Sequence, residues 1–164
     1  MGKRVEIRCT TPKQAIDQFF RQALQIVHDE IDRALTYLGE ECVIRIRDRS
    51  ASESWIDQAG NLRSSIGYAI YDYGKKYIES AFAVVLKGSK GASEGKKMVN
   101  ELASQYASVY ALVVVAGMNY AEYVEAIDSK DVLASTESWA RNKVNDWLKK
   151  AEDKAISRIN RLKL

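Results

Sequence analysis

The chain has 164 residues, 46% of them apolar and 29% charged, with a formal net charge of +3. These values exclude a disordered or low-complexity chain and fit a single domain, residues 1–164, with a core of its own. So small a net charge permits local basic faces but demands neither nucleic acid nor an anionic membrane as partner.

Met1-Gly2-Lys3-Arg4 lacks the apolar stretch of a signal peptide, and Glu6 stands where N-myristoylation wants Ser or Thr. Val5-Glu6-Ile7-Arg8 alternates like a short strand or arm. The longest apolar run, Ala111 to Gly117, is far shorter than the roughly 20 residues of a membrane-spanning helix. A soluble protein without a targeting address is expected. Cys9 and Cys42 sit on separate segments without metal-ligand spacing and read as reduced thiols.

Thr10 or Thr11 can cap a helix with Pro12 at its first position. From there Ile16, Phe19, Phe20, Ala23, Leu24, Val27, Ile31, Ala34, Leu35 and Leu38 recur at spacings of three and four. Asp17, Arg21, Asp29, Asp32 and Arg33 fall largely off that stripe. Gly39 weakens the helix by about 1 kcal/mol relative to Ala without having to end it. Cys42, Val43 and Ile46 carry the stripe towards Asp48, so a long helix that protrudes or packs across subunits is expected. Ser50 to Glu53 is a polar break, and Trp55-Ile56 restarts the apolar pattern.

Asp57-Gln58-Ala59-Gly60-Asn61-Leu62-Arg63-Ser64-Ser65-Ile66 follows, the stretch around which the chain is organised. Gly60-Asn61 signals a turn, since Gly adopts positive φ freely and Asn tolerates it. Leu62 and Ile66 share a face if a helical turn follows, which leaves Arg63 on another side, free to pair with an acid.

Ile66 to Tyr73 alternates as a strand, with Ile66, Tyr68 and Ile70 on one face and Tyr71 and Tyr73 on the other. Gly74-Lys75-Lys76 closes it, and Tyr77 to Leu86 reads as its hairpin partner. Lys87-Gly88-Ser89-Lys90-Gly91 reads as a flexible basic loop. A short helix is expected from Ala92 to Tyr106, burying Met98, Val99 and Leu102. Val109 to Ala116 is almost wholly apolar, as for a central strand buried on both faces. Met118 to Ile127 fits one or two helical turns. A last helix, from about Asp131 to Leu162, aligns Val132, Thr136, Trp139, Val144, Trp147, Leu148, Ala151, Ala155 and Ile159. Lys149, Lys150, Lys154, Arg158, Arg161 and Lys163 crowd its C-terminal half, which suits the helix dipole. The fold class is α+β: a long N-terminal helix, a small mainly antiparallel sheet with an inserted short helix, and a long C-terminal helix.

Two segments together resemble the head–tail joining (neck, or tail-completion) proteins of tailed double-stranded DNA phages. Asp57 with Gly60-Asn61-Leu62-Arg63 and Ser65-Ile66 is similar to that family's acid-x-Thr-Gly-Asn-Leu-Arg-x-Ser-Ile segment after a long helix. Tyr120-Ala121-Glu122-Tyr123-Val124-Glu125 is similar to its Tyr-Ala-x-Tyr-Val-Glu-x-Gly signature after the sheet. The motifs cover roughly residues 55–136. Ala59 replaces the family's Thr, Ala126 its Gly, and Asp131-Val132-Leu133 its Pro-Phe-Leu, and the 87–106 insertion exceeds a plain hairpin. The resemblance implies a structural virion protein, not an enzyme, made in the bacterial host cytoplasm and acting without cofactors. Its partners would be connector, adaptor, tail-tube or terminator proteins and copies of itself in a ring, with monomers in isolation. Trp55, Tyr120, Tyr123, Trp139 and Trp147 are divided evenly between core and interface anchors. Lys87, Lys90, Lys96 and Lys97 form a candidate contact to a partner ring or to DNA.

Other chemistries fit less well. Gly91-Ala92-Ser93-Glu94-Gly95-Lys96-Lys97 has three residues between its glycines where a P-loop has four, and no hydroxyl after Lys96 for Mg²⁺. His28 is the only histidine and reads as structural. Glu40-Glu41 and Asp29-Glu30 are adjacent pairs that diverge on a helix, poor acid–base partners. The rival function is a nucleic-acid module, with Tyr68, Tyr71, Tyr73 and Tyr77 stacking bases near Lys75 and Lys76 and the basic C-terminal helix following phosphates.

Overall fold

The computed structural model describes residues 5, 7–8, 10–50, 55–127 and 131–163. Cys9, Glu6, Met1 to Arg4 and Ala51 to Glu53 lie outside the described residues, and with them the expectations placed there. Val5, Ile7 and Arg8 belong to no strand.

Helix α1 runs over Lys13–Arg47. Pro12 is itself its N-cap, with an extended ψ of 136° and no side-chain cap bond, so neither threonine plays the expected part. Gly39 does not interrupt it; the residue lies beneath the Tyr68 ring, where a Cβ would come within 2.7 Å, so the packing there needs glycine. The short helix α2, Asn61–Ser64, leads into strand β1, Ile66–Asp72. Tyr73 and Gly74, with φ of 46° and 85°, make the two-residue turn to β2, Lys75–Glu79. The turn therefore sits one residue earlier than expected, and both positive φ values match the twist of a tight hairpin.

β2 stops well short of Leu86. Phe82 and Leu86 take positive φ (48° and 52°), which bends the chain out of the ladder and drives Phe82 into the core. Helix α3, Ser89–Glu101, continues as a 3₁₀ turn, Leu102–Tyr106, into β3, Tyr110–Ala116. The expected basic loop is thus largely helical. α3 buries Gly91, Ala92, Gly95 and Val99, while Met98 is exposed, because the glycines let this face approach its neighbours most closely. Helix α4, Ala121–Glu125, is a single turn, and α5 spans Ala134–Ile159, with Val132 buried just ahead of it.

The sheet order is β2-β1-β3, antiparallel throughout. β1, not β3, is the central strand. β3 pairs with it from Ile66↔Ala116 to Asp72↔Tyr110 and forms an edge, half-buried from Tyr110 to Val114. An apolar run reports that both faces meet apolar surface, not how many strands flank it. β1 contains two tyrosines, yet both are fully buried because their hydroxyls are bonded: Tyr68 donates to Glu40 at 2.9 Å, and Tyr71 to the Val99 carbonyl.

Ile66, Tyr68 and Ile70 face a core with Leu35, Val43 and Ile46 of α1, joined by Trp55, Leu62 and Val132. Ala69 and Tyr71 face a second core with Phe82, Ala92 and Val99. α5 returns antiparallel along α1, as Arg49–Asp131 (2.6 Å), Arg45 over Trp139 (4.4 Å), Tyr37 on Trp147 (4.9 Å) and Glu30–Arg158 (2.7 Å) show in succession. Asp32, expected off the stripe, is buried and accepts the Tyr110 hydroxyl. Among the described residues no helix is long and apolar enough to cross a membrane.

A Cβ on Gly91 would fall on the Asn61 carbonyl, which is backbone and cannot turn aside. Gly91→Ala is therefore expected to destabilise the fold by about 2 kcal/mol despite the better helix propensity of Ala. A urea-unfolding midpoint at or above that of the parent protein would contradict this close approach.

Candidate functional site

The segment from Asp57 to Ile66 is a joint between four elements. Gly60 has φ of 76°, and a Cβ there would fall on the Val85 carbonyl, so the turn needs glycine twice over. Asn61 Oδ1 accepts the Gly91 N–H at 3.2 Å, which fixes the start of α3. Leu62 enters the first core. Ser64 Oγ accepts the Val85 N–H at 2.8 Å. Ser65 Oγ donates to the Leu62 carbonyl at 2.8 Å and accepts the Met118 N–H at 3.3 Å, tying the joint to the end of β3.

Among the described residues Arg63 pairs with no carboxylate in this joint. Its guanidinium donates to the carbonyls of Arg47, Arg49 (3.4 Å) and Trp55 (3.4 Å) and lies 5.0 Å from the Trp55 ring centroid. A cation at the last carbonyls of a helix answers both their missing partners and the negative end of the dipole. Asp57 instead accepts the backbone N–H of Arg63 at 2.7 Å, at the start of α2.

The second motif does the complementary task for α5. Glu125 accepts the N–H groups of Leu133 (2.8 Å) and Ala134 (2.8 Å), a carboxylate placed where the helix N-terminus is positive. Ala121 is buried and Val124 packs against the first core. Tyr120 is 38% and Tyr123 72% exposed. The two motifs share the first core, through Leu62 and Ile66 on one side and Ala121 and Val124 on the other; burial and the nearby Asp57 carboxylate raise the Tyr120 hydroxyl above its ordinary pKa. Beside them Arg49 donates to Ser135 and Thr136 at 2.6 Å while pairing with Asp131, so the end of α1 is latched to the start of α5.

Of the aromatic interface candidates, Trp55 is core, at 5% exposure. Trp139 and Trp147 are half-buried between α1 and α5, under Arg45 and against Tyr37. Tyr120 and Tyr123 are the two open to solvent. Lys87, Lys90, Lys96 and Lys97 are all exposed, along α3 and the turn before it rather than in a flexible loop. Tyr68 and Tyr71 offer no face to a base, which leaves Tyr73 and Tyr77 exposed from the stacking set. Arg158 is committed to Glu30 and Asp29. His28 meets the Tyr110 ring edge-to-face at 5.6 Å, a structural contact. Cys42 is a buried thiol, pushed up to about 11 by burial. Among the described residues no group of three or more His, Cys, Asp or Glu side chains is placed to hold a metal ion.

Two surfaces add to the residues singled out from the sequence, the first unforeseen and the second anticipated only as a helix that protrudes or packs across subunits. One is an apolar groove of about 700 Å³, floored by Leu35, Leu38 and Cys42 of α1 and walled by Leu112 and Val114 of β3 and Ala140 and Val144 of α5. The other is the start of α1. Upstream of Ile26, its first buried residue, everything from Lys13 to Gln25 is exposed or half-buried, including Phe20 at 60% and Leu24 at 66%. The sequence signal was present in the stripe, which runs longer than one partner helix can cover.

Arg63→Ala is expected to cost about 2–4 kcal/mol, since three carbonyls and a ring lose a shared partner. Arg63→Lys should recover less than half, because an ammonium cannot fork between them. Equal urea midpoints for all three proteins would refute the capping role. Burial raises the Asp131 carboxyl, but hydrogen bonds from Ser135 and Arg49 and the charge of Arg49 outweigh it and hold the group below its ordinary value. A depressed carboxylate contributes stability above its unfolded value, about pH 4, and loses it as pH falls through the folded value. Asp131→Asn should thus be less stable at pH 7 and show a shallower loss on acidification, read from thermal melts between pH 7 and pH 3. Parallel pH profiles would contradict the latch.

The chain matches no protein-family model, no curated protein and no solved structure.

Proposed function

We propose that this chain is a structural component of a tailed-phage or prophage virion, joining head to tail or completing the tail through ring assembly. The observation that carries this reading is the meeting of the two motif segments at one joint. Arg63 closes the end of α1, Glu125 the start of α5, Ser65 ties the first segment to the end of β3, and Leu62, Ile66, Ala121 and Val124 share one core. Their side chains serve geometry: they set where two long helices leave a small sheet. That is the demand on a part that must present surfaces at fixed angles to neighbours in a ring. The exposed start of α1, the open groove and the exposed Tyr120 and Tyr123 supply apolar surface for such neighbours. The lysine side of α3 faces solvent and is available to a partner ring or to DNA in a channel.

Deletion of the gene from its phage, with lysates viewed by electron microscopy, tests this. Filled heads beside separate or defective tails are expected. Normal virions would overturn the proposal.

A further inference from the structure

The stripe of α1 continues without a break from its free end into the groove. Phe20, Leu24, Val27 and Ile31 follow one another at spacings of four, three and four, in phase with Leu35, Leu38 and Cys42 on the groove floor. Only its cover changes: Phe20 and Leu24 are 60% and 66% exposed, while Leu38 and Cys42 are 2% and 1% exposed. Within one chain the described residues leave two partly open surfaces, a helix end and a groove whose floor is covered but whose walls, Leu112 and Val114 of β3 and Ala140 and Val144 of α5, are only half-buried. The 13 residues from Lys13 to Gln25 extend about 20 Å at 1.5 Å per residue, enough to lie along several turns of another helix.

We propose that the start of α1 seats in the groove of a second copy of this chain, between β3 and α5, as a repeated head-to-tail contact. The choice of a second copy rests on the ring-assembly reading and on three features of the chain. First, the shapes correspond: Ala140 is the small residue on the α5 wall of the groove and leaves room for a ring such as Phe20. Second, the charges correspond. Asp17 and Arg21 flank the stripe four residues apart, and Glu137 and Arg141, paired with each other at 2.7 Å in the single chain, stand four apart at the exposed side of the groove, where the incoming pair would extend them into a four-charge network. Laid antiparallel to α5, the incoming helix places Asp17 opposite Arg141 and Arg21 opposite Glu137, and Phe20 then falls near Ala140. Exposed pairs of this kind contribute little energy but select register and direction. Third, the two surfaces are different patches of one molecule, so their contact is heterologous and propagates to a ring if the rotation closes.

The test uses full-length chains with Cys9→Ser, retaining Cys42 because it is buried. One chain carries Phe20→Cys and the other Ala140→Cys; they are mixed at high concentration and oxidised. A disulfide between the two chains is expected, and likewise for Ile16→Cys mixed with Val144→Cys. Adding Ala140→Phe, which fills the groove with the chain's own ring, should reduce the second cross-link at least fivefold. Asp72→Cys with Lys75→Cys in one chain serves as the oxidation control, since those two residues are directly paired across the β1–β2 hairpin, a separation a disulfide spans. With that control positive, absence of both mixed cross-links overturns the inference. So does a preference of Phe20→Cys for its own kind, which would mean that two helix starts pair with each other. A deletion phenotype in the phage without the cross-link would place another protein in the groove and leave the assembly role standing. The cross-link alongside normal virions from the deletion would do the reverse.

Discussion

The end of α1 is the constraint on which the fold depends. A 35-residue helix that stops inside the protein leaves its last carbonyls without partners, next to apolar surface that water cannot reach easily. Arg63 resolves this with one planar group: it donates to carbonyls from Arg47, Arg49 and Trp55 while its face rests on the Trp55 ring. Its position is set in turn by α2, whose start is held by Asp57 and by the left-handed Gly60. Moving any of these would shift where α1 ends relative to β1, and Tyr68 would no longer sit over Gly39. The apolar residues of the first core are numerous and mutually replaceable within limits; the polar joint is neither.

The same logic explains which parts of the fold could be read from the chain alone. α1 and α5 were legible because a long stripe at spacings of three and four has one interpretation. The faces of β1 were legible because alternation over seven residues fixes them. The rank of the strands was not, because burial of Tyr68 and Tyr71 depends on hydroxyl partners, Glu40 and Val99, 28 residues away in each case. The role of α3 was missed for a related reason. Glycine and lysine over Lys87 to Lys97 suggest a loop by composition, but Gly91 and Gly95 are there to let a helix touch Asn61, Ser65 and Phe82. A residue chosen for the absence of a side chain carries no signal of what it approaches.

At the candidate site the motifs were legible as motifs, and their chemistry was not. Arg63 was expected to be free to pair with an acid and meets carbonyls; Glu125 was expected only as a structural residue of the second motif, with no partner named, and it closes the start of α5. In both cases the partner is backbone, whose presence no sequence pattern announces. The open groove is harder still, since it is defined by what fails to fill the space between β3 and α5, and Ala140 is informative only once its neighbours are placed.

A free helix start and an open groove are tolerable in an isolated chain because scattered exposed apolar residues are normal on protein surfaces. Their mutual burial has a definite energetic scale. Phe20, Leu24 and Val27, which are 60%, 66% and 36% exposed, would each contribute about 0.5–2 kcal/mol on full covering, roughly 2–5 kcal/mol together. Association costs about 4–15 kcal/mol before any contact is made. On the proposed contact, a gain of this size falls short of that cost, so a largely monomeric chain is expected in dilute solution. On a template the cost falls, because a neighbour already held in place raises the effective concentration of the next contact. Under the proposed assembly role, a surface this modest suits a part that stays dispersed until a ring-shaped partner gathers it, whereas a larger apolar end on α1 would associate before the template arrived.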